Sequence, residues 1–317
     1  MDPIVKPSLI LIVGPTAVGK SEFAIRLAER LNAELISADS RLFYRSMEIG
    51  TAKPTRADRQ RVPHHLIDIA DPDQTVSLAD FQRLAREAIL DIHSRGRRPF
   101  LVGGTGQYVR AVTQAWQPPA VHPDQTLRRA LEETDRLGGG SLLYRRLTAM
   151  DPAAAGKIEP SNTRRTVRAL EVILKTGRRF SEQRGSGESP FDLLAIGLRR
   201  PRPELYARVD ARIDDMFSAG LLDEVEALLA KGYSPELPSM SAIGYRQCIE
   251  VLHRRVPVDA AKAEIRRLTR IFVRRQANWF KESDPGIKWF DANEPGLIEA
   301  VSSFLRSATP AQPTGPD

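Results

Sequence analysis

The sequence predicts an α/β protein: a parallel-sheet core covered by helices and interrupted by a small inserted helical domain. Short apolar runs at 9–13, 34–38 and 99–102 alternate with helical periodicity, the order of parallel strands joined by crossovers. The first run ends in a glycine-containing turn that leads straight into a helix. From about residue 118 the chain becomes charged and helical, and strand character returns only at Asp192.

Leu9-Ile10-Leu11-Ile12-Val13 is apolar throughout, as in a strand covered on both faces. Over 21–31, Phe23, Ile25, Leu27, Ala28 and Leu31 supply the apolar side of a helix packed on a sheet. A second strand is expected at 34–38. A helix over 78–94 precedes the third strand, 99–102, which stops at Gly103-Gly104. In the middle section, 124–136 and 141–150 read as helices. Ser161 or Asn162 caps a helix that runs to Thr176 and stops at Gly177. A Gly/Ser/Pro stretch at 185–190 closes that section, and a strand follows at 192–198. Helices over 203–219, 221–231 and 259–282 and a short strand at 287–290 complete the chain. The expected division is a core of 1–118 and 196–317 with an insertion at 119–195.

Lys and Arg outnumber Asp and Glu by 47 to 40 in 317 residues, a formal charge of +7 that attracts polyanions without proving one. The single cysteine, Cys248, excludes an internal disulfide and a cysteine metal cluster and points to a reducing compartment. Residues 1–7 lack the apolar run of a signal peptide, and 9–13 is too short to span a bilayer. A cytoplasmic protein is expected, with a disordered tail at 307–317, where three prolines and a glycine stand.

Gly14-Pro15-Thr16-Ala17-Val18-Gly19-Lys20-Ser21 fits G-x-x-x-x-G-K-[ST] in its required setting, strand before and helix after. The core is therefore expected to be of the P-loop NTPase type. Backbone N–H groups of such a loop turn onto phosphate oxygens, Lys20 adds a point charge, and Ser21 offers a hydroxyl to Mg²⁺. The plainer alternative is a chance match in a loop. No Asn-Lys-x-Asp occurs, which removes the GTPases. Leu35-Ile36-Ser37-Ala38-Asp39, an apolar strand ending in acid, keeps an ATP-binding kinase open.

Further segments follow the loop in order: Ser37-Ala38-Asp39-Ser40, Gly50-Thr51-Ala52-Lys53-Pro54, Pro63-His64-His65-Leu66-Ile67-Asp68 and Gly103-Gly104-Thr105-Gly106 with Tyr108. Then come Arg168-Ala169-Leu170-Glu171 and Ile243-Gly244-Tyr245-Arg246-Gln247. Together they resemble the tRNA dimethylallyltransferases (isopentenyl-tRNA transferases) over about 9–291. The resemblance implies an enzyme that moves a dimethylallyl group from dimethylallyl diphosphate to the exocyclic amine of the adenine 3′ of the anticodon. It implies tRNAs that read codons beginning with U, a P-loop holding diphosphate rather than a nucleoside triphosphate, and an inserted tRNA-gripping domain. It departs at Leu42, where many members have Gln, and at Gln107, where Leu is usual.

By the same resemblance, Asp39 is the proton acceptor, at the end of the second strand where open parallel sheets place ligands. The alternative for Asp39 is a capping or Mg²⁺-shell role. Thr16 and Arg212 face the diphosphate, whose growing charge must be neutralised. A surface ion pair with Asp215 or with the neighbours of Arg208 is the plainer fate of a helical arginine such as Arg212. Thr105 follows two glycines and is expected to touch substrate, with the glycines admitting it. The expected tRNA contacts are Asp39, Ser40, Arg41, Leu42, Thr105 and Arg128, then Arg164-Arg165-Thr166-Val167-Arg168. Ser241-Ala242-Ile243-Gly244-Tyr245-Arg246 and Arg274-Arg275-Gln276-Ala277-Asn278-Trp279-Phe280-Lys281 complete the set. Arg267, Arg270, Arg274, Asn278 and Lys281 fall on one helical stripe, in a stretch with seven basic and three acidic residues at 259–283. His64 and His65 lack a third ligand at zinc spacing, so structural roles are expected. No obligate protein partner and no membrane are implied. Two rivals remain: a small-molecule kinase with the insertion as a lid, and an RNA-binding protein that uses the loop as a nucleotide switch.

Overall fold

The computed structural model describes residues 6–308 apart from 117, 118, 120, 184 and 186; the tail expected to be disordered lies largely outside these residues. The chain forms two compact units, one of Met1–Thr113 with Ser189–Asp317, the other of Gln114–Glu188.

The first unit is built on six parallel strands: β1 (Ser8–Val13), β2 (Ala33–Ser37), β3 (His64–His65), β4 (Arg98–Val102), β5 (Asp192–Arg199) and β6 (Ile287–Asp291), in the order β3-β2-β4-β1-β5-β6. Alternation along β1 sends Ile10 and Ile12 to one face and Leu9, Leu11 and Val13 to the other, and each face meets its own apolar cluster. Helices α1 (Lys20–Leu31), α2 (Arg56–Arg61), α3 (Leu78–Ser94) and α4 (Gly106–Thr113) follow in the N-terminal part. The second unit contains α5 (Gln125–Leu137), α6 (Leu142–Met150), α7 (Pro152–Ala155) and α8 (Thr163–Thr176). The C-terminal part adds α9 (Arg202–Ser218), α10 (Leu221–Ala230), α11 (Tyr245–Leu252), α12 (Val258–Trp279) and α13 (Leu297–Ala308). One cluster joins the β1 face carrying Ile10 and Ile12 to α1, α9, α12 and α13; the other joins the opposite face to α3 and α4.

The insertion ends earlier than expected. Strand β5 pairs with β1 from Ser8↔Asp192 to Val13↔Gly197, so 192–195 belong to the core sheet and not to the helical domain. Within the second unit, buried Glu171 is the anchor. It accepts from the Asp124 backbone N–H (2.7 Å), from Arg128 (2.9 and 2.8 Å) and from Arg168 (2.6 Å). Leu131, Leu143, Leu147, Val167 and Leu170 pack its core.

The two histidines have structural partners. His65 Nε2 lies 2.6 Å from Glu34 Oε2, and the His64 ring bonds the Val62 carbonyl at 2.7 Å. Arg95, His65 and Arg97 around buried Glu34 hold its carboxyl down at about 2. Cys248 is fully buried, and burial pushes its thiol up to about 12.

Candidate active site

The P-loop connects β1 to α1. Gly19 takes φ 109°, a left-handed geometry that a side chain would strain, and α1 starts at the next residue. Two loop carbonyls are bound by arginines: Arg208 Nε donates to Ala17 O (2.7 Å) and Arg200 Nε to Val18 O (3.0 Å). Lys20 Nζ lies against the loop and donates to Gly14 O (2.9 Å) and Pro15 O (2.7 Å). Burial lowers the Lys20 pKa to about 8; the charge of Asp39 opposes that fall and the charge of Arg212 adds to it. The charges of Asp39 and Arg212 therefore both reach Lys20, although the three residues come from the turn after β2, α9 and α1.

A measurable pH dependence follows. An anion on the loop favours charged Lys20, so its pKa rises on binding. Below about 8 the lysine is already protonated and donor affinity is flat with respect to this group. Above that, binding takes up a proton and affinity falls by up to about tenfold per pH unit. Calorimetry of a non-reactive donor analogue in buffers of different ionisation heat checks this; Lys20→Met should remove both the uptake and the slope. Pan-pH affinity with no proton uptake in the parent would refute it.

Asp39 stands just past β2, whose extension is fixed by Ala38 N–H donating to Val102 O (2.8 Å). Its Oδ1 accepts the Arg41 backbone N–H (2.9 Å), so the carboxylate is held by its own turn. The loop beyond is braced by Lys53, fully buried, whose Nζ donates to Tyr44 O (2.8 Å), Asp68 Oδ1 (2.6 Å) and Glu48 Oε1 (3.0 Å). Asp68 N–H donates to Leu42 O (3.1 Å) and Ala70 N–H to Phe43 O (3.0 Å). The segments 50–54 and 63–68 thus frame the loop that carries Asp39, a role that sequence spacing alone does not reveal.

Arg212 is half-buried on α9 and has no hydrogen-bond or ion-pair partner among the described residues. Its acidic neighbours are committed elsewhere: Asp210 to Arg270 (2.5 Å), Asp214 to Lys262 (3.2 Å) and Arg266 (2.8 Å). The expected alternative, a pair with Asp215, is not formed. Burial and the adjacent Arg208 charge both depress its pKa, the signature of a desolvated cation lacking an anion.

Packing alone already calls for glycine at 104 and 106. A Cβ on Gly104 would lie 2.2 Å from Gln276 Nε2, and one on Gly106 2.2 Å from the Trp279 ring. They seat the last turn of α12 against the end of β4. Arg110 stacks over Trp279 at 5.1 Å and donates to its carbonyl (3.2 Å). Thr105 lies half-buried between those glycines, with its carbonyl accepting from Tyr108 N–H (2.9 Å) at the start of α4.

Several expected RNA contacts are placed otherwise. Tyr245 is fully buried and donates to Glu224 Oε1 (2.5 Å), while Glu224 accepts the Glu48 and Ile49 amides at 2.9 and 2.8 Å. Ala242, Thr166, Val167, Gln276 and Phe280 are also buried, so their side chains hold the fold. Arg128 and Arg168 are engaged by Glu171. Arg267 pairs with Glu264 (2.7 Å) and Arg270 with Asp210, with its guanidinium over Tyr206 at 5.3 Å. Arg41 donates to Pro238 O (2.9 Å), tying the Asp39 turn to the segment before α11. Arg164, Arg165, Ser241, Arg246, Arg274, Arg275, Ala277, Asn278 and Lys281 are exposed; Ser40, Leu42, Ile243 and Trp279 are half-buried.

An Mg²⁺ ion fits this loop only alongside a ligand. Among the described residues no group of three or more His, Cys, Asp or Glu could hold a metal, while the Ser21 side chain is exposed in the first turn of α1. Ser21 with diphosphate oxygens and water matches the sparse protein ligation Mg²⁺ uses. There it would supply positive charge to a departing diphosphate.

A cavity of about 410 Å³ opens on the β5 side of the loop, lined by Gly14, Pro15, Leu205, Phe280 and Trp289, with Arg202, Arg274 and Lys281 among its other lining residues. Among the described residues no helix is long and apolar enough to cross a membrane.

The IPP transferase family model matches residues 42–283. The tRNA dimethylallyltransferase of Roseiflexus sp. (strain RS-1) is 51% identical over 298 residues, covering 94% of this chain and 97% of that protein. That of Geobacter sulfurreducens is 45% identical over 302 residues, covering 94% and 96%. Among solved structures, the full-length tRNA isopentenylpyrophosphate transferase of Bacillus halodurans superposes with a TM-score of 0.72 at 41% identity, covering 95% of this chain and 96% of that one. A eukaryotic dimethylallyltransferase acting on tRNA gives 0.76 at 29% identity, covering 96% and 80%. On likeness of this extent, joined to a phosphate loop with its carboxylate and unpaired arginine, the chain belongs to the IPP transferase family.

Proposed function

We infer that this chain transfers a dimethylallyl group from dimethylallyl diphosphate to the exocyclic amine of the adenine 3′ of the anticodon, in tRNAs that read codons beginning with U. The observation that carries this reading is Arg212: a half-buried guanidinium on α9 with no hydrogen-bond or ion-pair partner among the described residues, whose charge, like that of Asp39, reaches Lys20 in the phosphate loop. Two cations suit a diphosphate, and the carboxylate beside them suits an amine that loses a proton.

In the proposed step the amine nitrogen bonds C1 of the prenyl group while the C1–O bond breaks. The electron pair leaves with diphosphate, and the amine proton passes to Asp39. The adenine lone pair is delocalised into the ring, so the acceptor matters as the new bond forms. Lys20, Arg212 and the loop amides neutralise the leaving group, with the Thr16 hydroxyl beside it. Incubation with unmodified tRNA, Mg²⁺ and labelled dimethylallyl diphosphate tests the reading. Label must appear in RNA; steady ATP consumption with a small acceptor would instead indicate a kinase.

RNA is proposed to meet two sets of exposed cations, Arg274, Arg275 and Lys281 at the end of α12, and Arg164 and Arg165 at the start of α8. The second pair is informative because a helix N-terminus disfavours cations, so its residues are not explained by helix stability. Such contacts reach phosphates and set position rather than sequence. Arg165→Ala and Arg274→Ala should each weaken all tRNAs alike and reduce the salt slope by roughly 1. Titrations of an anticodon stem-loop at several salt concentrations check it; unchanged slopes in both would mean solvated faces only. The protein is proposed to act in the cytoplasm as a monomer, without an obligate protein partner.

A further inference from the structure

The turn of α12 that carries the exposed Arg274, Arg275 and Asn278 also sends one side chain inward. Gln276, 5% exposed, accepts the Thr16 backbone N–H through Oε1 (2.7 Å) and donates through Nε2 to Gly104 O (3.2 Å). It spans from the phosphate loop after β1 to the end of β4. Gly104 has an ordinary backbone φ, and a Cβ there would displace the Gln276 amide, whose Nε2 would lie 2.2 Å away, and would be crowded by the Gly14 carbonyl at 3.2 Å. Both hydrogen-bonding ends of the amide are used, so the side chain cannot rotate without unpairing the buried Gly104 carbonyl and the part-buried Thr16 N–H.

We propose that Gln276 is a positioning residue for the transfer: it holds Thr16 in the phosphate loop and links that loop to RNA seated on the end of α12. The proposal rests on the function inferred above. The link is physical and short. RNA phosphates that fix Arg274 and Arg275 fix the turn, the turn fixes Gln276, and Gln276 fixes the peptide whose side chain faces the diphosphate. A stem-loop should therefore tighten donor binding, and by reciprocity the donor should tighten stem-loop binding by the same factor.

The test uses the full chain, an anticodon stem-loop and a thio-diphosphate analogue of the donor that does not react. In the parent, the stem-loop should improve analogue affinity by about fivefold or more. Gln276→Met keeps the volume and removes both bonds. It should lower kcat by about tenfold, leave the stem-loop KM within about twofold, and abolish the improvement. Gly104→Ala displaces the same side chain from the other side and should reproduce these changes. The double variant Gly104→Ala/Gln276→Ala should lose less than the two single losses combined, because the clash with Gln276 is then gone and only the contact with the Gly14 carbonyl remains. Parental kcat and parental coupling in folded Gln276→Met would overturn the proposal, as would additive losses in the double variant. Should the variants fail to fold, the parent alone decides: analogue affinity indifferent to the stem-loop overturns it. Label transfer by the parent tests the underlying function separately, so the two failures are distinguishable.

Discussion

Asp39→Asn is expected to lower the single-turnover rate of prenyl transfer by about 10²–10⁴-fold, the range a positioned proton acceptor contributes. Asparagine retains an oxygen for the Arg41 amide, which Asp39 Oδ1 now accepts at 2.9 Å, so the turn should persist. Stem-loop affinity should then stay within about twofold, since the change removes charge and not shape. One side effect must be separated. The Asp39 charge holds the Lys20 pKa up, so its loss lets that pKa fall below about 8 and weakens donor binding in alkaline buffer. The assay therefore uses saturating donor and a pH series that runs downward from 8, so that the Lys20 titration can be separated from the chemical step. A rate that recovers on acidification would assign the defect to Lys20. A variant that turns over at the parental rate but loses tRNA would make Asp39 a binding residue.

Sequence reasoning reached the core through β1, β2, β4, β5 and β6, because each is a short apolar run with a clear stop. It missed β3, His64–His65, which has two polar residues and no periodicity of its own; its pairing with β2, Leu35↔His64 and Ile36↔His65, joins residues 29 positions apart and leaves no local signal. It missed α4 and α11 because both start at glycines, Gly106 and just after Gly244, where local preference argues against a helix. The cap at Asn162 and the stop at Gly177 were legible because they are local chemistry: Asn162 Oδ1 accepts Arg165 N–H at 3.2 Å, and Gly177 takes φ 66°.

The site divided along the same line. The phosphate loop and the acid after β2 are contiguous in sequence and could be read directly. The α12 stripe could be read only in part, since spacing gives the face of a helix but not its partners. Arg267 and Arg270 lie on that stripe yet are consumed by Glu264 and Asp210. Gln276, between the stripe residues Arg274 and Asn278 in sequence, points inward to Thr16, 260 positions away in the chain. A contact that distant leaves no local signal. Similarly, motif matching put Tyr245 with the RNA contacts, whereas its hydroxyl serves Glu224 in the core.

Arg212→Met should lower kcat by about 10²–10³-fold, the usual loss when one preorganised donor to a developing anion is removed. The change should also leave the melting temperature unchanged or raised, and that pairing is the informative part. A surface or core arginine normally stabilises the fold through a carboxylate, but Asp210 and Asp214 are engaged by Lys262, Arg266 and Arg270, and Asp215 does not pair with Arg212. Its guanidinium is desolvated beside Arg208, a placement that costs stability and is justified only by an anion that arrives later. Arg212→Lys keeps the charge but loses the planar donor fork, so it should recover only part of the rate. Donor-analogue affinity should weaken less than kcat if the guanidinium meets charge that grows as the C–O bond breaks. Stem-loop affinity should not move. A lowered melting temperature with kcat within about threefold of the parent would place Arg212 in the packing of α9 and remove it from the reaction centre.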